Sequence, residues 1–503
     1  MTAEKHRDAL HPEARGVVAG AITAGAGQGM VALIGILMSV IIPRLFGAGD
    51  YGLWVWYRSI VNLALTFCTL GALQTIVCHY IPMKAAGHDD QAASLLKSLA
   101  AVRLTAFLVA ALVSSVMLLV ADTALSRPIN AAMIATSVFV RGLLSVPMMI
   151  LYSERRIRAM LSMQVLLSLI VPGSVATAYV LGDVRSIPIG CVLGDTICTA
   201  VGLWVARPWR LLGANWMRFK ELRPIMLFGA SIGVSSIMTS LFMSTAPYFM
   251  SLRQYSAESL AYVGISIRMT SFLIGALVSV SAAVIPTFSA VLERDGVDRV
   301  VRWHGLLSRF GFALILCVLG NAFLLADKLV PLVWGSAFRP MSAVMIYSVA
   351  ALIPLWLGSQ MIRYVLFFKR STGYLLSSLL QLLLFVGLLF ALTEDSAGQN
   401  TMLAMILAGT AFMLCAAVMY FRRTRLSWNW LRFVPAVFMV GVAHSLGPRS
   451  VGLIQSAVTA ILWTTVFVLV VFGFGGARVY EIRDILGLVT LRGDRNADKG
   501  FPA

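Results

Sequence analysis

Charge is what this chain has least of. Only 12% of its 503 residues are Asp, Glu, Lys or Arg, while 59% are hydrophobic. That balance lies outside the range of soluble globular domains and is expected of a polytopic membrane protein. Acids are the scarcer sign, 22 Asp+Glu against 40 Lys+Arg. The six cysteines, Cys68, Cys78, Cys191, Cys198, Cys317 and Cys415, all fall in apolar runs without paired spacing. A disulfide framework and a metal cluster are therefore not expected, and ordinary apolar packing accounts for each thiol. No grouping of His, Asp and Glu has the spacing of a paired general acid and base, so the composition points to no enzyme. The first residues, MTAEKHRDALHPEARG, lack the basic start, short apolar core and small-residue cleavage site of a signal peptide. The first apolar run is then its own insertion signal.

What is present is a succession of apolar runs of about 20 residues, the length that crosses a bilayer as α-helix. Fourteen are expected, at 18–42, 52–76, 99–121, 129–151, 160–181, 186–206, 224–249, 260–288, 306–326, 341–366, 373–392, 400–420, 432–447 and 452–474. The fold class is all-α polytopic. A basic, tryptophan-bearing stretch, RPWRLLGANWMRFKELR (207–223), suits the headgroup layer and divides the chain. The plan is an N-lobe (1–206, six helices), a cytoplasmic linker (207–223), a C-lobe (224–421, six helices), two further helices (422–474) and a charged tail (475–503). Most Lys and Arg fall in the tails and on one set of loops, so the positive-inside rule places both termini in the cytoplasm. The basic excess is thus an orientation signal, not a nucleic-acid footprint. The stretch from Pro82 to Arg103 reads as a cytoplasmic turn and amphipathic lead-in to the third helix.

Ionisable groups inside these runs are costly and mark function by default. Arg58 shares a helical face with Asn62 and Thr66. Arg141 aligns with Ser137 and Ser145, Arg268 with Ser271, Gly275 and Ser279, and Arg363 with Gln360 and Trp356. Arg141 and Arg268 are about 15 Å from either end of their helices, too deep to snorkel easily. Arg58 and Arg363 sit nearer an end, so reaching for headgroups is a competing reading for both. One acid, Asp195, lies in mid-helix; it is either a proton or sodium site or the partner of an arginine. The seventh helix carries a hydroxyl row, Ser236, Ser240 and Ser244, fit for sugar, water or interhelical contact. Gly16, Gly20, Gly25 and Gly29 form a packing stripe in helix 1, beside Gln28. Pro147, Pro172 and Pro354 predict kinks.

The halves repeat weakly: Asp50-Tyr51-Gly52, Arg58 and Ile81-Pro82 in the first answer to Ala261-Tyr262-Val263, Arg268 and Ile285-Pro286 in the second. Such internal symmetry is a mark of transporters. With IIPRLFGAGDYGLWVW, LGALQTIVCHYIPMKAAGHDD, PYFMSLRQYSAESLAYVGISIRM, AAVIPTFS and LVPLVWGSAF in order, the chain resembles the polysaccharide-transporter branch of the multidrug/oligosaccharidyl-lipid/polysaccharide flippase superfamily. The resemblance implies two six-helix lobes around a cationic cavity. It implies alternating access that carries undecaprenyl-pyrophosphate-linked oligosaccharide across the bacterial inner membrane for exopolysaccharide, capsule or O-antigen synthesis, beside the pathway's polymerase and export machinery. Arg58 and Arg268 match cavity arginines of the related lipid II flippases; those relatives' helix-1 arginine has no counterpart here, and Gln28 stands nearby.

The expected site is Arg58, Arg141, Arg268, Arg363, Asn62 and Gln360, with Asp195 as ion pair or coupling site, no cofactor, and coupling to a proton or sodium gradient left open. Three alternatives stand beside it. A lipid II flippase shares the cavity chemistry. A cation-coupled multidrug exporter needs cavity acids, which are scarce here. A membrane glycan polymerase or ligase needs a long external catalytic loop, which the spans do not leave room for.

Overall fold

Backbone polar groups inside hydrocarbon must find partners within their own segment, and the α-helix provides them. The computed structural model describes residues 2–68, 75–80, 83–84, 86–120, 128–154, 156–244, 246–295, 297–367, 371–392, 398–421, 433–446 and 452–473, and among these no residue is in a strand. In chain order the helices are α1 (Thr2–Phe67), α2 (Asp89–Val120), α3 (Pro128–Ser153), α4 (Ile157–Leu181), α5 (Ile187–Ala206), α6 (Phe219–Ser244), α7 (Ala246–Leu252) and α8 (Ala257–Asp295). They continue with α9 (Val297–Trp334), α10 (Met341–Phe367), α11 (Ser371–Ala391), α12 (Gln399–Phe421), α13 (Val434–Leu446) and α14 (Leu453–Gly473). Among the described residues, ten helical stretches are long and apolar enough to cross a membrane. The exposed faces carry the signature of a lipid solvent: Leu108, Leu112 and Val116 on α2, and Leu193, Ile197 and Trp204 on α5, are open to the surroundings.

The first two expected spans are the two arms of α1, separate helices that meet at a break. The join between them is short: in place of the loop expected at 43–51, the arms meet at Gly47 (φ 75°, ψ 174°), a non-helical backbone with positive φ that glycine adopts without steric penalty. Ile42, Phe46, Ala48 and Tyr51 flank this break and are almost fully enclosed, so packing on both sides holds the join tight. The second arm ends earlier than expected, at Phe67, and a separate π-helical turn, Ile76–Tyr80, follows. Helix α13 has 13 residues, about 20 Å, shorter than a hydrocarbon core of about 30 Å.

Helices α2 to α5 pack on one another and on α1, while α8 to α12 with α6 form a second group; α13 and α14 attach to α9. There Trp463 Nε1 donates to the Met439 carbonyl at 3.0 Å, and Asn321 Nδ2 to Thr464 Oγ1 at 3.0 Å. The groups meet along α1 and α8, and small residues allow it. A side chain on Gly52 would collide with the Ala257 carbonyl, one on Gly264 with Val55, and one on Gly35 with Phe272. The seam is tied further by Trp334 Nε1 donating to the Ser39 carbonyl at 2.7 Å and Arg44 to the Leu332 carbonyl. The Gly52, Trp334 and Arg44 contacts lie towards the end of the bundle marked by Gly47, and the Gly35 contact lies deeper.

The opposite end carries the linker. Lys97 on α2 donates to the carbonyls of Leu212 (2.9 Å) and Ala214 (2.7 Å) and sits 4.7 Å from the Trp216 ring centroid. Ser98 Oγ receives the Met217 N–H at 3.1 Å. Trp209, Leu212, Trp216 and Phe219 stay exposed, the arrangement of a segment lying in the headgroup layer.

Candidate cationic site

The seam between the helix groups gathers the charged residues. On α1, Tyr51, Trp54 and Arg58 follow helical spacing and so share one face. Tyr51 and Trp54 are each 1% exposed, with rings in edge contact at 5.3 Å. Arg268 enters from α8: its Nη1 donates to the Tyr51 hydroxyl at 3.4 Å, and its Cζ stands 5.4 Å from the Trp54 ring centroid, a cation–π contact. From α3 and α5 come Arg141 and Asp195. Arg141 Nη1 lies 3.6 Å from Asp195 Oδ1, and Ser137 Oγ donates to Asp195 Oδ2 at 2.5 Å.

Arg58 joins the two pairs. It is within electrostatic range of Arg141, Arg268, Asp195 and the Cys191 thiol, and its Nε is buried without a hydrogen-bond partner. Arg141 Nη1 and Asp195 Oδ1 also make no hydrogen bond, so their contact is purely ionic. Asp195 has no exposed side-chain surface, whereas Arg141 keeps 17% of its own. The pairing reading of Asp195 therefore fits the geometry. Three guanidinium groups face one carboxylate, a surplus of two positive charges. At the 1.5 Å rise of a helix, Arg58 below Gly47 and Arg268 below Ala257 are both about 16 Å from the kink end, near the middle of a bilayer. Arg58 does not snorkel: its guanidinium turns into the seam.

The other expected residues are placed differently. Asn62 is half-buried one turn beyond Arg58, and its backbone carbonyl accepts the Thr66 hydroxyl at 2.7 Å. Gln360 is buried in α10 beside α9, where its backbone carbonyl meets His304 Nε2 at 2.8 Å; by helical rise it is about 12 Å further from the kink end than Arg268. It does not join the three arginines. The side chains of Arg363, Gln28 and Ser279 and the hydroxyl row Ser236, Ser240 and Ser244 lie outside the described residues. Ser145 and Ser271 spend their hydroxyls on the Gly142 (2.5 Å) and Ile267 (2.8 Å) carbonyls of their own helices. Sequence reading noted Tyr51 only as part of the repeat between the halves and missed Trp54; the signal for both is their i−7 and i−4 spacing from Arg58.

A two-lobed bundle of long apolar helices with an arginine-rich seam defines a polytopic membrane protein. The chain belongs to the polysaccharide biosynthesis protein family, whose model matches residues 41–343. No curated protein matches it in sequence. Among solved structures it is similar to the lipid II flippase MurJ in an inward closed conformation, with TM-score 0.68, 15% identity, and coverage of 89% of this chain and 98% of that one. An inward-facing MATE-family multidrug resistance transporter gives TM-score 0.58 at 14% identity, covering 84% of this chain and 99% of that one. A superfamily transporter from Pyrococcus furiosus Vc1, described as having a binding pocket of reverse polarity, gives 0.54 at 15% identity, with 84% and 96% covered.

Proposed function

We propose that the protein is a flippase that moves undecaprenyl-pyrophosphate-linked oligosaccharide repeat units across the bacterial inner membrane by alternating access, for synthesis of a surface polysaccharide. The observation that carries this reading is the surplus of guanidinium charge at Arg58, Arg141 and Arg268, half-buried where the two lobes meet. A pyrophosphate headgroup is an anion that bare hydrocarbon excludes, and fixed cations along the path offset its desolvation. Arginine suits the task, because its planar fork binds phosphate oxygens bidentately and stays charged when buried. The sign of the site disfavours a cationic drug as cargo. Asp195 in this reading balances Arg141 and takes no coupling ion. The linker end, rich in Lys and Arg, faces the cytoplasm, so the contacts between α1 and α8 close the outer side.

The test uses purified protein in proteoliposomes loaded with a fluorescent polyprenyl-pyrophosphate oligosaccharide or with a cationic dye. Wild type is expected to move the lipid and not the dye. Arg268→Ala should lower the rate about tenfold to a hundredfold, the loss of one or two charge-assisted hydrogen bonds, and Arg268→Lys should keep part of it. Transport of the dye alone, or full lipid transport by Arg268→Ala, overturns the proposal.

A further inference from the structure

A fourth guanidinium lies inside the N-lobe, away from the seam. Arg103, which the sequence places in a cytoplasmic lead-in, lies on the enclosed stripe of α2: Leu96, Leu99, Phe107, Ala111, Ser114 and Leu118 follow helical spacing with it and are buried, while Arg103 itself is half-buried with its Nε enclosed. The lipid-facing positions of the same helix are Leu108, Leu112 and Val116. Arg103 therefore points into the protein. Its Cζ stands 5.7 Å from the Phe107 ring centroid, and Phe107 in turn abuts Gly142 of α3. The Cys68 thiol, just past α1, donates to the Ala106 carbonyl at 3.2 Å, which sets the end of α1 against this turn.

A buried arginine kept for stability is paired, because an uncompensated charge in low dielectric is expensive. Arg103 is not paired in that way. Its Nε is buried with no hydrogen-bond partner, and neither ion pair among the described residues includes it. By helical rise it lies about 25 Å from the kink end of α2, against about 16 Å for Arg58 and Arg268, so it stands roughly one and a half turns nearer the linker. The aromatic face fixes the guanidinium and leaves its N–H groups unspent.

We propose that Arg103 is a second anion-binding position, on the linker side of the central cluster, which takes the phosphate of a lipid headgroup before Arg58, Arg141 and Arg268 do. This rests on the proposed flippase function, extending its path by one station. A headgroup with two phosphates can then bridge or step between cations instead of crossing an uncharged gap.

The experiment measures binding of farnesyl pyrophosphate and of inorganic pyrophosphate to the full-length protein in nanodiscs, by native mass spectrometry and tryptophan quenching. The variants are Arg103→Gln, Arg103→Lys, Arg103→Met and the pair Arg58→Gln with Arg268→Gln. Two farnesyl pyrophosphates are expected on wild type. Arg103→Gln and Arg103→Met should lose one, with that site weakened about tenfold or more, and Arg103→Lys should keep it. The seam pair should lose the other. A variant that melts as wild type does and still binds two overturns the second position, whatever the seam pair shows. Loss in the Arg103 variants with no loss in the seam pair upholds the position and overturns the central site of the flippase reading. Equal binding of inorganic pyrophosphate at Arg103 overturns the lipid-headgroup assignment in favour of a free-phosphate site.

Discussion

Asp195→Ala is expected to destabilise the protein by about 3–5 kcal/mol, seen as a large drop in melting temperature and a loss of membrane abundance. Asp195 is the acid that offsets Arg141 at 3.6 Å, and Arg58 lies within range of both. Removing the carboxylate leaves three guanidinium groups to repel one another around a side chain position that has no exposed surface. Desolvation already taxes these charges, so nothing nearby compensates for the lost attraction. The Ser137 hydroxyl also loses its acceptor at 2.5 Å. The double variant Arg141→Gln/Asp195→Asn separates charge balance from transport. It should recover most of the stability, because a neutral pair of similar shape replaces a buried ionic one, yet move lipid-linked oligosaccharide more slowly for want of one cation. Wild-type stability in Asp195→Ala would mean that the ionic contact contributes nothing, and that the cluster is solvated enough to tolerate a third uncompensated charge.

Gly52→Val carries the second large effect, of about 3 kcal/mol or more. Even a methyl group at this position would overlap the Ala257 carbonyl of α8, a backbone atom that cannot rotate aside, so the two helices must separate. Because the seam is built from α1 against α8, the separation would loosen Tyr51 and Trp54 from Arg268 as well. Both the melting temperature and the transport rate should fall. Gly29→Ala is the control on the same helix: no atom approaches a Cβ there, and alanine favours helix, so stability should stay level or rise by up to about 1 kcal/mol. If Gly52→Val melts and transports like wild type, the close approach of the lobes at the kink end has no energetic weight.

Much of the architecture was legible in one dimension because the bilayer imposes a length and a polarity on every segment. Apolar runs of the right length gave the helices, and the tryptophan-rich linker gave the division between α5 and α6. The boundary at Gly47 was legible, since a glycine beside Pro43 and Asp50 looks like a turn; that it is a tight break between two enclosed arms is set by burial on both sides. Arg141, Arg268 and Asp195 were found because a charge in an apolar run is conspicuous. Arg103 follows Lys97 and precedes a long apolar stretch, so it reads as the polar edge of a helix; its spacing with Phe107 and Ala111 adds that it sits on the enclosed face. Gln360 was grouped with the arginines because it shares a helical face with Arg363 and Trp356, and its depth in α10 sets it apart from the three at the seam.

Sequence alone placed the chain in a bilayer, gave it repeated apolar runs that can cross, and put positive charge within them. Those are one-body properties, set by the transfer free energy of each segment and each side chain. Which charges face one another is a pairwise property across helices far apart in the chain, and only tertiary packing decided it. It brought Asp195 to Arg141, set Arg268 against Tyr51 and Trp54 through the glycine contacts of α1 with α8, and left Arg103 with no carboxylate among the described residues.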